Sequence, residues 1–167
     1  DPTVSFTALQ AGDIDMTERA PYEWIKEIRD GKLKGIGSVE SRYSAGRAIE
    51  FNVVDPPFNN KKMRLAVAHA MDRKEILQAA YFGFGEPSDQ FYPKGHKWYI
   101  EGIPSPAYDV DKAIKVLDEA GYKPGADGFR TTPAGEATAF SIIVPNGWTD
   151  WIDAAQIAVE GLRKAGL

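Results

Sequence analysis

The stretch Val144-Pro145-Asn146-Gly147-Trp148-Thr149-Asp150-Trp151 gathers two indoles, an amide and a carboxylate where an apolar run gives way to a helical period. A strand turning into a helix is the usual ligand end of an α/β layer, because the helix start leaves backbone N–H groups unbonded. Trp148, just outside the helix, is placed to stack on a sugar ring or an apolar side chain, and Asn146 and Asp150 to receive polar groups. Trp151 also reads as core beneath the helix, with Thr149 acting only as its cap.

Other chemistries find less support. His69 and His96 are the only imidazoles. His69 sits inside an Ala-rich helical pattern and reads as a helix residue; His96 lies in a loop with no Ser or Cys nucleophile pattern, which disfavours a catalytic triad. The absence of Cys removes thiolate, disulfide and Cys-zinc chemistry. Asp13 and Asp15 lack the remaining ligands of a calcium loop and read as turn and strand-end residues, so neither metal nor cofactor is expected. Gly31, Gly35 and Gly37 lack the Lys-Ser/Thr ending of a phosphate loop and read as turns. A carboxylate pair for glycoside hydrolysis is defined by separation in space, and nothing here singles one out.

The elements that must position these residues are mixed. A helical stretch from Val4 is stopped by Gly12, and Pro21 to Asp30 forms an amphipathic helix with Trp24, Ile25 and Ile28 on one face. Asn59 or Asn60 caps a helix to Ala70 that buries Met63, Ala66, Val67 and Ala70. Asp72-Arg73-Lys74-Glu75 then starts another, to Tyr81. Asp109 or Asp111 begins a helix, Lys112 to Ala120, that Gly121 closes, and Thr149 to Ala165 repeats apolar residues at a helical period. Residues 36–39, 48–53 and 139–144 read as strands, the first two paired about the turn Ser44-Ala45-Gly46. Asp55-Pro56-Pro57-Phe58-Asn59 interrupts the second, since proline has no backbone donor. From Gly83 to Tyr108 no period holds, as expected of a long functional loop. The fold class is mixed α/β, a sheet flanked by helices.

The 167 residues are 43% hydrophobic and 26% charged, as in soluble globular domains. A chain this long folds to roughly 8,200 Å² of surface, about 69% of the unfolded surface being buried. A net charge of −4 with scattered Lys and Arg argues against nucleic acid as partner. The apolar runs fall far short of the roughly 20 residues that cross a bilayer, so no membrane insertion is expected. Both ends read as cuts, the last helix being one after which a strand is expected.

The stretch Phe51 to Ile76 resembles the family 5 extracellular solute-binding proteins, the oligopeptide, dipeptide, nickel and oligosaccharide receptors of ABC importers. Asn52, Pro57-Phe58-Asn59, Arg64-Leu65-Ala66 and Ala70-Met71-Asp72-Arg73 carry the match. Leu9-Gln10-Ala11-Gly12-Asp13-Ile14-Asp15, Gly83-Phe84-Gly85-Glu86-Pro87, Tyr108-Asp109-Val110-Asp111-Lys112-Ala113 and Leu117-Asp118-Glu119-Ala120-Gly121-Tyr122 follow in the family's order. The resemblance implies a type II periplasmic-binding-protein-like fold and a single domain over residues 1–167, the second large lobe of a two-lobe protein. Ligand would be trapped between the lobes as they close. It further implies an oligosaccharide or oligopeptide as ligand, the importer's membrane subunits as partners of the full-length protein, and a periplasmic or cell-surface location.

One wall of such a cleft is expected from Asn52 and Phe58, from Gln90, Tyr92 and Trp98 in the long loop, and from Asn146, Trp148, Asp150 and Trp151. Arg64, Asp72 and Arg73 are expected to be structural, Asp72 as a cap and the arginines in surface pairs. The indoles incline the reading toward sugar, whose apolar ring faces suit them. Two other classes stand beside this non-catalytic reading: a small carbohydrate-active hydrolase using a carboxylate pair such as one including Asp150, and a protein-interaction domain.

Overall fold

The computed structural model describes residues 1–18, 20–40, 46–88 and 90–167. Its six helices among these residues are α1 (Pro2–Ala11), α2 (Tyr22–Arg29), α3 (Lys61–Ala70), α4 (Arg73–Ala79), α5 (Val110–Glu119) and α6 (Thr149–Lys164). The expected caps hold them: Gly12 ends α1 in the left-handed conformation, and the Asn60, Asp72 and Asp109 side chains accept from N–H groups in the first turns of α3, α4 and α5. For α6 the residue flanking the helix is Trp148, not Thr149, and it makes no side-chain cap bond.

The core is a helical one. Met63, Ala66, Val67 and Ala70 of α3 meet Ala113 and Leu117 of α5, with Tyr122, Leu162, Ala165 and Leu167 closing the cluster. Small residues let the backbones approach: a Cβ on Gly161 of α6 would stand 2.1 Å from the Ala70 carbonyl oxygen. The end of α3 is also tied to the start of α5. The Asp109 N–H donates to the His69 carbonyl at 2.9 Å, and the His69 ring Nδ1 lies 2.7 Å from the Ala107 carbonyl. His69 is therefore a buried tether between two segments.

A second cluster joins α1 and α2 to the end of α4. Phe6 stacks on Trp24 at 4.4 Å, and Tyr22 meets both Tyr81 and Phe84. Arg29 covers the outer face of Phe84 at 4.4 Å and ion-pairs with Glu40.

Among the described residues the sheet is smaller than the alternation predicts. Only β1 (Lys123–Pro124) and β2 (Arg130–Thr131) form a ladder, antiparallel, extended by a bridge from Thr131 to Ala137. Residues 36–39, 48–53 and 139–144, expected as strands, carry no ladder, and the turn expected at Ser44-Ala45 lies outside the described residues. β-branched alternation favours an extended backbone, but a strand exists only where a neighbouring backbone takes up its N–H and C=O groups. Ile143 stands 91% exposed, and Val53 and Val54, at and just past the end of the second segment, stand 55% and 79% exposed, so apolar side chains of these stretches are left uncovered. Others are covered: Phe58 sits between Phe51 and Phe140 at 4.9 and 4.8 Å, and all three lie against the helical core.

The total accessible surface, 11302 Å², exceeds the value expected of a self-contained chain of this length by roughly a third. No helix among the described residues is long and apolar enough to cross a membrane.

Candidate functional site

Two aromatic groups and a short linking segment make up the candidate site. The first lies where residues 139–144 lead through Pro145-Asn146-Gly147 into α6. Trp148 and Trp151 meet edge to face at 4.7 Å, and the Arg47 guanidinium covers the Trp151 ring at 5.2 Å from its centroid. The buried Trp151 indole N–H has no hydrogen-bond partner among the described residues. Asp150, in the first turn of α6, is half-buried, and its charge acts on Tyr81. Burial pushes the Tyr81 hydroxyl up to about 12, the nearby Asp150 carboxylate adds to the rise, and the facing Arg47 guanidinium opposes it. Arg47, Tyr81, Asp150 and Trp151 thus form one charged and aromatic cluster. Asn146 is exposed at its rim.

The second group belongs to the long loop. Tyr92 stacks on His96 at 4.4 Å, and Trp98 meets Tyr92 edge-on at 4.9 Å. Lys97 lies over the Trp98 ring at 4.6 Å, and the Trp98 N–H donates to His96 Nδ1. Gln90 closes this loop rather than reaching out from it. Its side-chain amide donates to the Ile100 carbonyl at 2.7 Å, and its side-chain oxygen accepts from the Ile100 N–H at 3.0 Å.

The two groups flank a single backbone step. The Gly46 N–H donates to the Phe91 carbonyl at 2.8 Å, and the next residue is Arg47, over Trp151. The structure therefore brings Trp148, Asp150 and Trp151 together and Tyr92 and Trp98 together, with residues 46–47 between. Asn52 and Phe58 make their hydrogen bonds and ring contacts with neither group. The Asn52 amide is engaged with Asp55 and with the Val54 N–H, and Phe58 is held in its aromatic stack.

Sequence reasoning missed Arg47 and Tyr81. Arg47 carries no local signal beyond being a cation beside an extended segment, and Tyr81 reads as the last residue of an amphipathic helix. The motif arginines also act differently from the surface pairing expected of them. Arg64 donates to the Phe58 carbonyl at 2.6 Å and to that of Asn59, and Arg73 donates to the Pro106 carbonyl at 2.8 Å. A guanidinium fork satisfies loop carbonyls that have no ladder, which a charge-pairing rule cannot anticipate. Asp72 caps α4 as expected.

No cluster of metal-ligating side chains occurs among the described residues. The arrangement offers flat aromatic surface with one guanidinium and one carboxylate beside it.

Capped helices, the Pro57-Phe58-Asn59 loop fastened by Arg64 and the Trp148–Trp151 pair at the turn into the last helix lie together on one chain of mixed α and β. The chain belongs to the bacterial extracellular solute-binding proteins, family 5, whose middle region matches residues 1–167. Among its relatives is a probable peptide ABC transporter periplasmic-binding protein of Sinorhizobium fredii, 29% identical over 180 residues, covering 100% of this chain and 30% of the relative. The oligopeptide-binding protein AppA of Bacillus subtilis, solved with a nonapeptide, superposes with a TM-score of 0.74 at 25% identity, over 100% of this chain and 33% of that one. A periplasmic oligopeptide-binding protein of Thermotoga maritima, solved with mannohexaose bound, gives 0.62 at 31% identity over 70% of this chain and 23% of that one. The chain has the mixed α and β architecture of these binding proteins and spans about a third of their length.

Proposed function

We propose that residues 1–167 form one lobe of a longer two-lobe solute receptor of an ABC importer, working at the cell surface or in the periplasm, and that this lobe supplies one wall of the ligand cleft without catalysis. The observation that carries this reading is the cluster of Arg47, Asp150 and the Trp148–Trp151 pair at the turn into α6. The excess accessible surface and the open extended segments agree with a lobe that packs against further structure.

An oligopeptide is the favoured ligand. The Trp151 and Trp98 faces are already covered by Arg47 and Lys97, which leaves less bare indole for pyranose rings than the sequence suggests. A guanidinium and a carboxylate in one cluster suit the charged termini of a short peptide, with uncommitted backbone N–H and C=O groups of extended segments beside them. An oligosaccharide is the second reading, favoured by Trp148 and by the mannohexaose found in the Thermotoga relative. In both readings Trp148, Asp150, Trp151, Tyr92 and Trp98 face the ligand, Asn146 borders it, and Asn52, Phe58 and Gln90 hold the wall in shape.

Tryptophan fluorescence of the full-length protein, titrated with short peptides and with oligosaccharides, tests this. A saturable change with one ligand class, abolished in R47A or D150N for peptides or in W148A for sugars, supports the corresponding reading. No response to either class overturns both.

A further inference from the structure

We propose that Asn146 is a site of spontaneous deamidation, which converts a neutral amide at the rim of the aromatic cluster into a carboxylate. The inference rests on the chemistry of the turn and is independent of what the lobe binds.

Asn146-Gly147 is the only Asn-Gly pair in the sequence. With no side chain on the following residue, nothing hinders the Gly147 nitrogen from approaching the Asn146 side-chain carbon. Both residues are exposed, and Gly147 holds φ at +81°, the left-handed region where a tight turn needs glycine. Among the described residues no hydrogen bond holds either the Asn146 amide or the Gly147 N–H.

The contrast with the other asparagines is direct. The Asn52 amide is bonded at both ends, to Asp55 and to the Val54 N–H. The Asn60 side chain caps α3 by accepting from Lys62. The N–H that follows Asn59 belongs to Asn60 and donates to the Pro57 carbonyl. In each case either the amide or the attacking nitrogen is engaged, and the next residue carries a side chain.

In the reaction, hydroxide takes the proton from the Gly147 nitrogen, which attacks Cγ of Asn146. The new N–Cγ bond closes a succinimide ring, the Cγ–Nδ2 bond breaks, and Nδ2 leaves as ammonia after taking a proton from water. A second water opens the ring at either carbonyl, leaving aspartate or isoaspartate. The net change is one water consumed and one ammonia released, with no oxidation or reduction. The product places a second carboxylate near Asp150, where the start of α6 favours negative charge. The isoaspartate product also lengthens the backbone leading into Trp148.

The test is to incubate the protein at mildly alkaline pH beside a synthetic peptide of residues 144–149, and to follow amide loss by proteolytic mass spectrometry with isoaspartyl methylation. We expect Asn146 to convert within about tenfold of the peptide's rate, and Asn52, Asn59 and Asn60 to convert at least about tenfold more slowly than Asn146. N146Q, which keeps the turn and its glycine, is expected to show no conversion there. Protection of Asn146 beyond about tenfold relative to the peptide, or loss spread evenly over the asparagines, overturns the proposal.

Discussion

The Arg47 guanidinium covers the Trp151 ring, 5.2 Å from its centroid, across a separation of more than a hundred residues. The same guanidinium faces the Tyr81 hydroxyl, so one side chain links the extended segment after Gly46, the end of α4 and the first turn of α6.

Removing that contact should cost little stability and be measurable as a coupling. Arg47 is exposed, and a cation over an aromatic ring at an exposed site contributes about 0.5–1 kcal/mol. A double-mutant cycle of R47A and W151L, read by urea unfolding, should return a coupling energy in that range. Strictly additive effects would mean that the two side chains do not touch in solution.

Tyr81 should give the protein an alkaline limit of its own. With the hydroxyl raised from its ordinary value of 10.0 to about 12, the folded state holds this proton more tightly than the unfolded state between those two pH values. More protons bound in the folded state means stability that falls as pH rises. The contribution is therefore complete below about pH 10 and is lost as pH climbs toward 12. Y81F should lack this limb of the stability profile, and tyrosinate absorbance should show one fewer late-titrating phenol. An unchanged alkaline limb in Y81F would show that Tyr81 titrates normally.

Helix caps and the inward face of α3 were legible in the sequence because both are local. Asn60, Asp72 and Gly12 act within three or four residues of where they stand. The start of α5 was legible only to within a turn, since Asp109 and Asp111 are both competent caps, and it is Asp109 that accepts the Lys112 N–H. The sheet was not legible, because alternation at 139–144 reports a two-faced extended chain and not the presence of a neighbour to bond it. The site was half legible: Trp148, Asp150 and Trp151 announce themselves by position, whereas Arg47 and Tyr81 join them only through tertiary contacts. Gln90 and Phe58 were legible as special, but not their contacts: the Gln90 amide bonds across the loop to Ile100, and Phe58 packs between Phe51 and Phe140.

Gly161 should resist even the smallest enlargement. Alanine is the better helix former by about 1 kcal/mol, so an uncrowded position would gain from G161A. Here the added methyl would sit 2.1 Å from the Ala70 carbonyl oxygen and 3.2 Å from its carbon, both backbone atoms of α3 that cannot swing aside. Overpacking of this kind costs about 1–3 kcal/mol or more. A net loss of roughly 2 kcal/mol in urea unfolding is expected. A stabilised G161A would show that α3 and α6 are farther apart than this.

Arg130 should matter for its carbonyls more than for its charge. Its side chain is 5% exposed, and its Nε donates to the Ala165 carbonyl at 3.0 Å while Nη1 donates to the Tyr122 carbonyl at 2.5 Å and to Asp118 at 2.6 Å. Asp118 is 54% exposed, so D118N removes a solvent-screened pair and should cost at most about 1 kcal/mol. R130A instead strips two main-chain acceptors of their donor and opens a space beside Gly166, and should cost roughly 3 kcal/mol or more. The asymmetry follows from what each loss leaves behind: a carboxylate that water re-solvates in one case, and in the other the end of α6 and Tyr122 with nothing to bond them together. If both variants unfolded at the same urea concentration, the ion pair with Asp118 would outweigh the bridge to the two carbonyls. R130K separates the two further, because a single ammonium keeps the charge but cannot reach Ala165, Tyr122 and Asp118 at once in the guanidinium's planar geometry. Its stability should therefore fall closer to R130A than to the unmodified protein.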